Sequence, residues 1–187
     1  MNLTKRQNEI IDAALMLIAQ GGIQKLTIKN LAGMLRITEP AIYRHFKNKA
    51  EIIKALIERF DLAVPAGNPA LRGFDGVAAF VRSRFEQVIA EPPLARVMFA
   101  EELFMDEPNG SEMMLQMMHR HKAALLGYFL EAQENGEIRR DLAPELLFRL
   151  VFGPVRLLIK QWGMVGGAFD LRFKGDELLE TLRKLLK

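Results

Sequence analysis

The side chains able to carry covalent, acid–base or metal chemistry are few and poorly spaced for it. There is no cysteine, which removes thiolate nucleophiles, disulfides and thiolate zinc sites and suits a reducing compartment. Ser83 and Ser111 are the only serines, and neither sits in a Gly-x-Ser-x-Gly turn that would present a nucleophile. The histidines are His45, His119 and His121. The last two are two residues apart on a predicted helix, so their side chains diverge by about 200° and cannot share a metal. One of that pair then faces solvent and the other the interior. Glu101 and Glu102 diverge likewise, and whichever turns inward needs a partner. No Walker loop, Gly-x-Gly-x-x-Gly or His-Glu-x-x-His is present. The expectation is a protein without catalytic residues, metal or cofactor.

What remains is cationic chemistry, and it is unevenly distributed. Net charge over 187 residues is only +3. Residues 1–50 hold eight basic side chains (Lys5, Arg6, Lys25, Lys29, Arg36, Arg44, Lys47, Lys49) against Glu9, Asp12 and Glu39, a net of +5. The rest carries −2. A basic head on a near-neutral body is the electrostatic pattern of a nucleic-acid-binding segment, although scattered surface lysines alone could produce it. Half the chain is apolar, too much for disorder. No apolar run reaches the ~18–20 residues of a membrane span. The opening MNLTKRQNEI lacks the apolar core and cleavage site of a signal peptide. A cytoplasmic location away from membranes is expected.

The elements that position these cations are helical throughout, with no hairpin signal and no repeat. Ile11, Ala14, Leu15 and Ile18 form one helical face. Thr4-x-x-Gln7 offers a capping box before it, and Gly21-Gly22 a left-handed stop after it. A short second helix opens at Thr27, turns Ile28, Leu31, Ala32 and Leu35 inward, and ends near Arg36. Thr38 can cap a third, with Pro40 in its first turn and Ile42 and Phe46 as its buried i, i+4 pair. Asn48-x-x-Glu51 caps a fourth, reaching about Leu62. Residues 63–73, with two Pro and two Gly, read as a linker. Longer helices follow at about 74–90, 94–106, 111–134 (capped by Ser111), 144–163 and 176–186. Gly153-Pro154 is expected to kink the fourth of these. The fold class is all-α. The expected domains are a helix-turn-helix head over 1–47, a connecting helix and linker over 48–73, and a helical body over 74–187.

Two short helices joined by a tight turn in a basic surround fit a helix-turn-helix, whose second helix enters the major groove. The stretch Ile10-Ile11-x-Ala-Ala-Leu-x-Leu-Ile, then Gly21-Gly22, Thr27, Leu31-Ala32 and Ile42-Tyr43-Arg44-His45-Phe46-Lys47-Asn48-Lys49 strongly resembles the TetR family of bacterial transcription regulators. The resemblance is detailed over residues 7–60 and only architectural beyond about residue 70. It implies that Tyr43, His45 and Lys49 bind backbone phosphate. Core packing for Tyr43 and a solvated cap for His45 are the alternatives. Thr27, at a helix start, can give its hydroxyl and amide to a phosphate or serve as a plain cap. Thr38, Glu39, Pro40 and Ala41 open the recognition helix, where Ala41 offers only apolar contact and Glu39 could accept from a cytosine amine. Lys29, Arg36 and Arg44 complete the expected DNA contacts. One departure stands out. The family commonly places Gly at the turn that Arg36 occupies here, so either Arg36 is left-handed, at a cost of ~1 kcal/mol, or the turn differs.

The resemblance further implies a homodimer on a pseudo-palindromic operator, joined through the last two long helices. Leu150, Val155, Leu158 and Trp162 on one, with Leu178, Leu182 and Leu185 on the next, are the candidate interface residues; ordinary core packing would use the same side chains. Methionine adapts to irregular apolar shapes, so Phe85, Met98, Glu102, Met105, Met114, Met117, Met118 and Phe129 are candidates to line a pocket for an apolar or amphipathic effector of unknown identity. Plain core filling is the competing reading. The expected function is a sequence-specific DNA-binding regulator, a repressor released by such a ligand. The alternatives are a DNA-bound adaptor that recruits a protein partner and a helical enzyme with a vestigial head.

Overall fold

The computed structural model describes residues 3–62, 70–97 and 110–187, and among these no strand occurs. The helices are α1 (Lys5–Gly21), a 3-10 turn (Ile23–Lys25), α2 (Ile28–Leu35), α3 (Glu39–Tyr43), α4 (Lys49–Leu62), α5 (Gly73–Ala90), α6 (Leu94–Val97), α7 (Gly110–Glu134), α8 (Pro144–Met164) and α9 (Leu171–Leu185). The fold is all-α. The chain forms two compact units, residues 1–62 with 93–115, and residues 63–92 with 116–187. In this division α4 falls in the first unit, as do the described residues among 93–115.

In the first unit, α1 packs on α2 and α4, and α2 packs on α3. The capping box forms as predicted: the Gln7 amide donates to Thr4 Oγ1 at 3.2 Å, and the Thr4 amide donates to Gln7 Oε1 at 3.0 Å. The inward faces of Ile10, Ile11, Ala14, Leu15 and Ile18 meet Leu31, Ile42, Phe46, Ile52 and Ile53 in one buried core. Each such aliphatic side chain contributes roughly 1.5–3 kcal/mol. Arg96 of α6 donates to the Ala19 carbonyl.

In the second unit, α9 packs against α5 and α8. Two glycines allow close approach. A β-carbon at Gly175 would meet the Phe85 ring at 2.3 Å, and one at Gly76 would meet Tyr128 at 2.2 Å. Helices α5 and α9 run antiparallel, and their register is written in charge. Asp75 pairs with Arg183, Arg82 with Asp176 at 2.7 Å, and Glu86 with Arg172 at 2.6 Å. Each step along α5 is matched by an equal step back along α9, with the signs alternating on both. Slipping α9 by a turn would break the matched set. The loops are tied back by side chains: Gln133 Nε2 donates to the Arg139 and Leu142 carbonyls, and Trp162 Nε1 donates to that of Phe169.

Two sequence-based limits shift. The last helix begins at Leu171, five residues before the predicted start, because the Asp170 carboxylate accepts from the Phe173 amide and Gly175 is a packing residue rather than a breaker. Ser111 lies inside the first turn of α7, which starts at Gly110. Helix α8 runs continuously through Pro154. Most of the predicted 94–106 helix lies outside the described residues.

Candidate nucleic-acid interface

The helix-turn-helix is assembled by local chemistry that the sequence spells out. Thr27 caps α2 by accepting from the Asn30 amide at 3.1 Å, and Asn30 Nδ2 reaches back to the Lys25 carbonyl at 2.8 Å. Helix α2 ends in a Schellman closure, in which the Ile37 amide donates to Ala32 O at 3.0 Å and the Arg36 amide to Gly33 O at 3.2 Å. Arg36 occupies the left-handed position, at φ 53° and ψ 46°. Of the two alternatives raised by its presence at the turn, the strained one holds.

Helix α3 is a single short turn, anchored by Ile42 at 0% and Phe46 at 4% exposure. With those two inward, Glu39, Pro40, Tyr43 and Arg44 are turned out to solvent, and Ala41 is half-buried. Tyr43 is 50% exposed, so it is not a core aromatic. Thr38 sits at the cap position of α3 without a side-chain bond to the helix. Its hydroxyl is therefore not used in capping. His45 is half-buried, and its carbonyl accepts from Gln7 Nε2 at 3.1 Å, which fixes the end of the α3 turn to α1. The Glu51 amide donates to Asn48 Oδ1 at 2.9 Å, while the Glu51 carboxylate accepts from the Lys47 amide at 2.7 Å. This capping pair starts α4 at Lys49, which is half-buried in its first turn.

The electrostatics divide the unit into two classes of cation. Arg6 pairs with Glu9, Lys54 with Glu58 and Arg59 with Asp12, all on α1 and α4. Lys25, Lys29, Arg36, Arg44 and Lys47, on and around α2 and α3, make no ion pair among the described residues. Between Asp12 and Glu51 the only carboxylate is Glu39. A face of unneutralised cations beside an exposed tyrosine on a short outward helix suits a polyanion whose backbone demands charge and whose groove admits a helix.

Residues 10–56 match the family model described as bacterial regulatory proteins, tetR family. Over that stretch the head is that of the TetR family. The chain is 24% identical over 182 residues to the fatty acid metabolism regulator protein of Bacillus subtilis, covering 93% of this chain and 92% of that protein. In fold it is similar to the fatty acid degradation regulator FadR from Bacillus halodurans, with a TM-score of 0.81 and 22% identity over 96% of this chain and 99% of that one. It is likewise similar to the FadR of Bacillus subtilis solved in complex with stearoyl-CoA, with a TM-score of 0.78 and 22% identity over 94% and 96%. At these identities the structural likeness establishes the fold. The TetR-family head accounts for the unpaired cations of α2 and α3.

The other candidate residues are distributed less simply. Of the effector set, Met98, Glu102 and Met105 lie outside the described residues. Phe85, Met117 and Phe129 are buried in the second unit, with Met118 half-buried there; Met114, also half-buried, belongs to the first unit. Two clefts in the second unit, of 510 Å³ and 280 Å³, are lined largely by charged side chains such as Arg72, Asp75, Glu137 and Arg183, and by none of the candidates. Sequence reasoning missed Arg84, which is 1% exposed with its guanidinium 5.5 Å from the Phe80 ring centroid. The signal was available, since Arg84 falls on the same helical face as Phe80, Val81 and Val88. His121 is the inward histidine, at 0% exposure and edge-on to Phe80 and Phe152, while His119 faces solvent.

The candidate dimer residues need correction. Val155, Trp162 and Leu182 are buried within one chain, at 1%, 8% and 6% exposure, and cannot also face a second copy. Leu150 and Leu185 are exposed, and Leu158 and Leu178 are half-buried. Helix α8 carries two apolar faces. Leu147, Val151, Val155, Ile159 and Trp162 point inward, whereas Leu146, Leu150, Leu157 and Met164 form an exposed stripe on the opposite side. The predicted set mixed the two. No helix among the described residues is long and apolar enough to cross a membrane, and no group of three metal-ligating side chains occurs among them.

Proposed function

We propose that the protein is a cytoplasmic homodimeric repressor, that its α2–α3 heads read successive major grooves of a pseudo-palindrome, and that an amphipathic acyl-type effector releases it. The observation that carries the DNA reading is the sorting of charge in the first unit: Arg6, Lys54 and Arg59 on α1 and α4 are internally paired, whereas Lys25, Lys29, Arg36, Arg44 and Lys47 make no ion pair among the described residues. Thr27, Lys29, Arg36, Tyr43, Arg44, His45 and Lys49 supply backbone contacts that set register, and Thr38, Glu39, Pro40 and Ala41 face the base edges. A single turn of helix reaches few bases, so two heads are needed, and the exposed stripe of α8 supplies an apolar face for a second copy. It spans roughly 27 Å from Leu146 to Met164 at 1.5 Å per residue. Gly153 lies in the same stripe with open space where a side chain would stand, which permits close helix approach.

The effector reading rests on the apolar interior of the second unit and on the relatives. One of these is named for fatty acid metabolism, and another was solved with stearoyl-CoA. Buried Arg84 and His121 among Phe80, Phe148 and Phe152 give that interior a polar element, which suits an amphipathic ligand better than a purely apolar one. Release follows if the ligand binds more tightly to a state whose head spacing departs from ~34–36 Å. The test is a duplex recovered from a random pool by the protein itself, titrated with stearoyl-CoA and, in parallel, with free coenzyme A. Acyl-dependent loss of binding supports the reading. Equal affinity for selected and scrambled duplex at every salt concentration would overturn it.

A further inference from the structure

The same helix closure occurs three times among the described residues, and its left-handed position is filled differently in one of them. At the end of α7 the Glu137 amide donates to Ala132 O at 2.8 Å, and the left-handed residue is Gly136, at φ 70°. At the end of α8 the Gly167 amide donates to Trp162 O at 2.9 Å, and the left-handed residue is Gly166, at φ 63°. At the end of α2 the equivalent residue is Arg36, the only non-glycine with positive φ among the described residues. Glycine takes this conformation without steric cost, whereas a side chain with a β-carbon crowds its own carbonyl. An arginine there lowers fold stability unless its side chain returns the loss.

Within the fold it does not. Arg36 is exposed, and among the described residues its guanidinium makes no hydrogen bond, ion pair or ring contact. A β-carbon in place of Gly33, one turn earlier in α2, would meet nothing within 4 Å, so the surroundings are open rather than packed. Strain that no internal contact offsets is the mark of a residue kept for an external one. Its location names the partner. The turn between α2 and α3 joins the two elements whose exposed cations, Lys29, Arg44 and Lys47 with Arg36 itself, make no ion pair among the described residues.

We infer that Arg36 trades fold stability for DNA affinity, holding a left-handed turn so that its guanidinium binds a backbone phosphate beside the recognition helix. This rests on the DNA-binding reading above. It goes further in requiring that stability and affinity move in opposite directions on substitution, which neither a plain surface arginine nor a structural one would do.

Three variants test it: R36G, R36N and R36K. Thermal unfolding gives one readout. The other is binding to the duplex selected by the wild-type protein and to a scrambled duplex, across a salt series. For R36G the midpoint should rise by about 2–4 °C, the shift that ~1 kcal/mol gives a chain of this length. Affinity should fall several-fold on both duplexes, and the salt slope should lose about 0.9 per bound head. R36N, which tolerates the left-handed region without the charge, should follow R36G in affinity. R36K keeps both charge and strain and should stay near wild type in slope and midpoint. A higher midpoint with unchanged affinity and slope would show strain without a DNA role. A lower midpoint in R36G would show that the side chain supports the fold. Either result overturns the assignment while wild-type binding stands. If the wild-type protein binds no duplex at low salt, the DNA reading fails with it.

Discussion

The ring of Phe85 on α5 lies directly over the α-carbon side of Gly175 on α9, leaving no room for a methyl group: a β-carbon would stand 2.3 Å from Cε2 and 2.6 Å from Cδ2. Phe85 is 2% exposed, so its ring cannot swing into solvent to make space. The contact sits in the middle of the ion-paired seam between the two helices and fixes their separation where the charges fix their register.

Gly175→Ala is therefore expected to destabilise the protein by about 1–3 kcal/mol through overpacking, lowering the melting temperature by several degrees. Gly127→Ala is the control. It also lies inside a helix but has open space at its β-position, and better helix propensity should leave stability unchanged or raised by up to ~1 kcal/mol. Thermal unfolding of the two variants side by side checks the contrast. Equal effects would contradict the packing argument.

Substitutions on the recognition face should separate positioning from readout. Arg44→Ala and Lys29→Ala are expected to weaken binding to all duplexes by similar factors and to reduce the salt slope by about 0.9 per head. Glu39→Gln or Ala41→Ser should instead change which sequences a random pool yields, because these residues open α3 where it faces base edges. Selection and salt titration on the same proteins distinguish the two classes.

The two faces of α8 predict opposite phenotypes for apolar substitutions. Leu157→Glu, on the exposed stripe, should leave the fold intact and shift sedimentation toward the monomer. Val155→Ala, on the buried face, should cost about 1–3 kcal/mol by leaving a cavity and leave the association state unchanged. A Leu157→Glu protein that sediments like wild type would remove the stripe from the dimer interface.

The α5–α9 seam gives a pH signature of known sign. The two-pronged hydrogen bond from Arg172 holds the Glu86 carboxyl below the usual glutamate value of 4.5, against a smaller opposing desolvation. Asp141 is lowered in the same way by Arg139, and Glu180 by Lys184. A carboxyl lowered in the folded state stabilises above its unfolded value and loses that contribution as pH falls through the folded one. Stability should thus be flat near neutrality and decline below about pH 4.5. Each pair is solvent-exposed and so contributes little. Glu86→Gln should make the acid decline slightly shallower while lowering the neutral-pH melting temperature by no more than a degree or two. A steeper acid decline in Glu86→Gln would reverse the sign.

The local chemistry of the head was legible residue by residue. Thr4-x-x-Gln7, Thr27 and Asn48-x-x-Glu51 each name a cap whose bonds close within four residues. Ile42 and Phe46 name the inward side of α3. Such features depend on sequence neighbours alone, and the structure reproduces them. The last helix starts five residues earlier than its leucine stripe predicts, and the place of Gly175 inside it is explained only by Phe85, ninety residues away in sequence.

What the sequence determined by itself was the helical period, the caps, the uneven charge and the motif that places α3 outward, all set by contacts three or four residues apart. What only tertiary structure decided was which of two apolar faces a helix buries. Val155 and Leu157 on α8 are equally hydrophobic in the sequence, yet one is at 1% and the other at 57% exposure. The period of a helix specifies that two stripes exist, but the choice between them comes from the helices that pack alongside. The same holds for the cations. Arg59 and Arg44 carry identical charge, and only the fold sets Asp12 against the first while leaving the second, among the described residues, without a carboxylate.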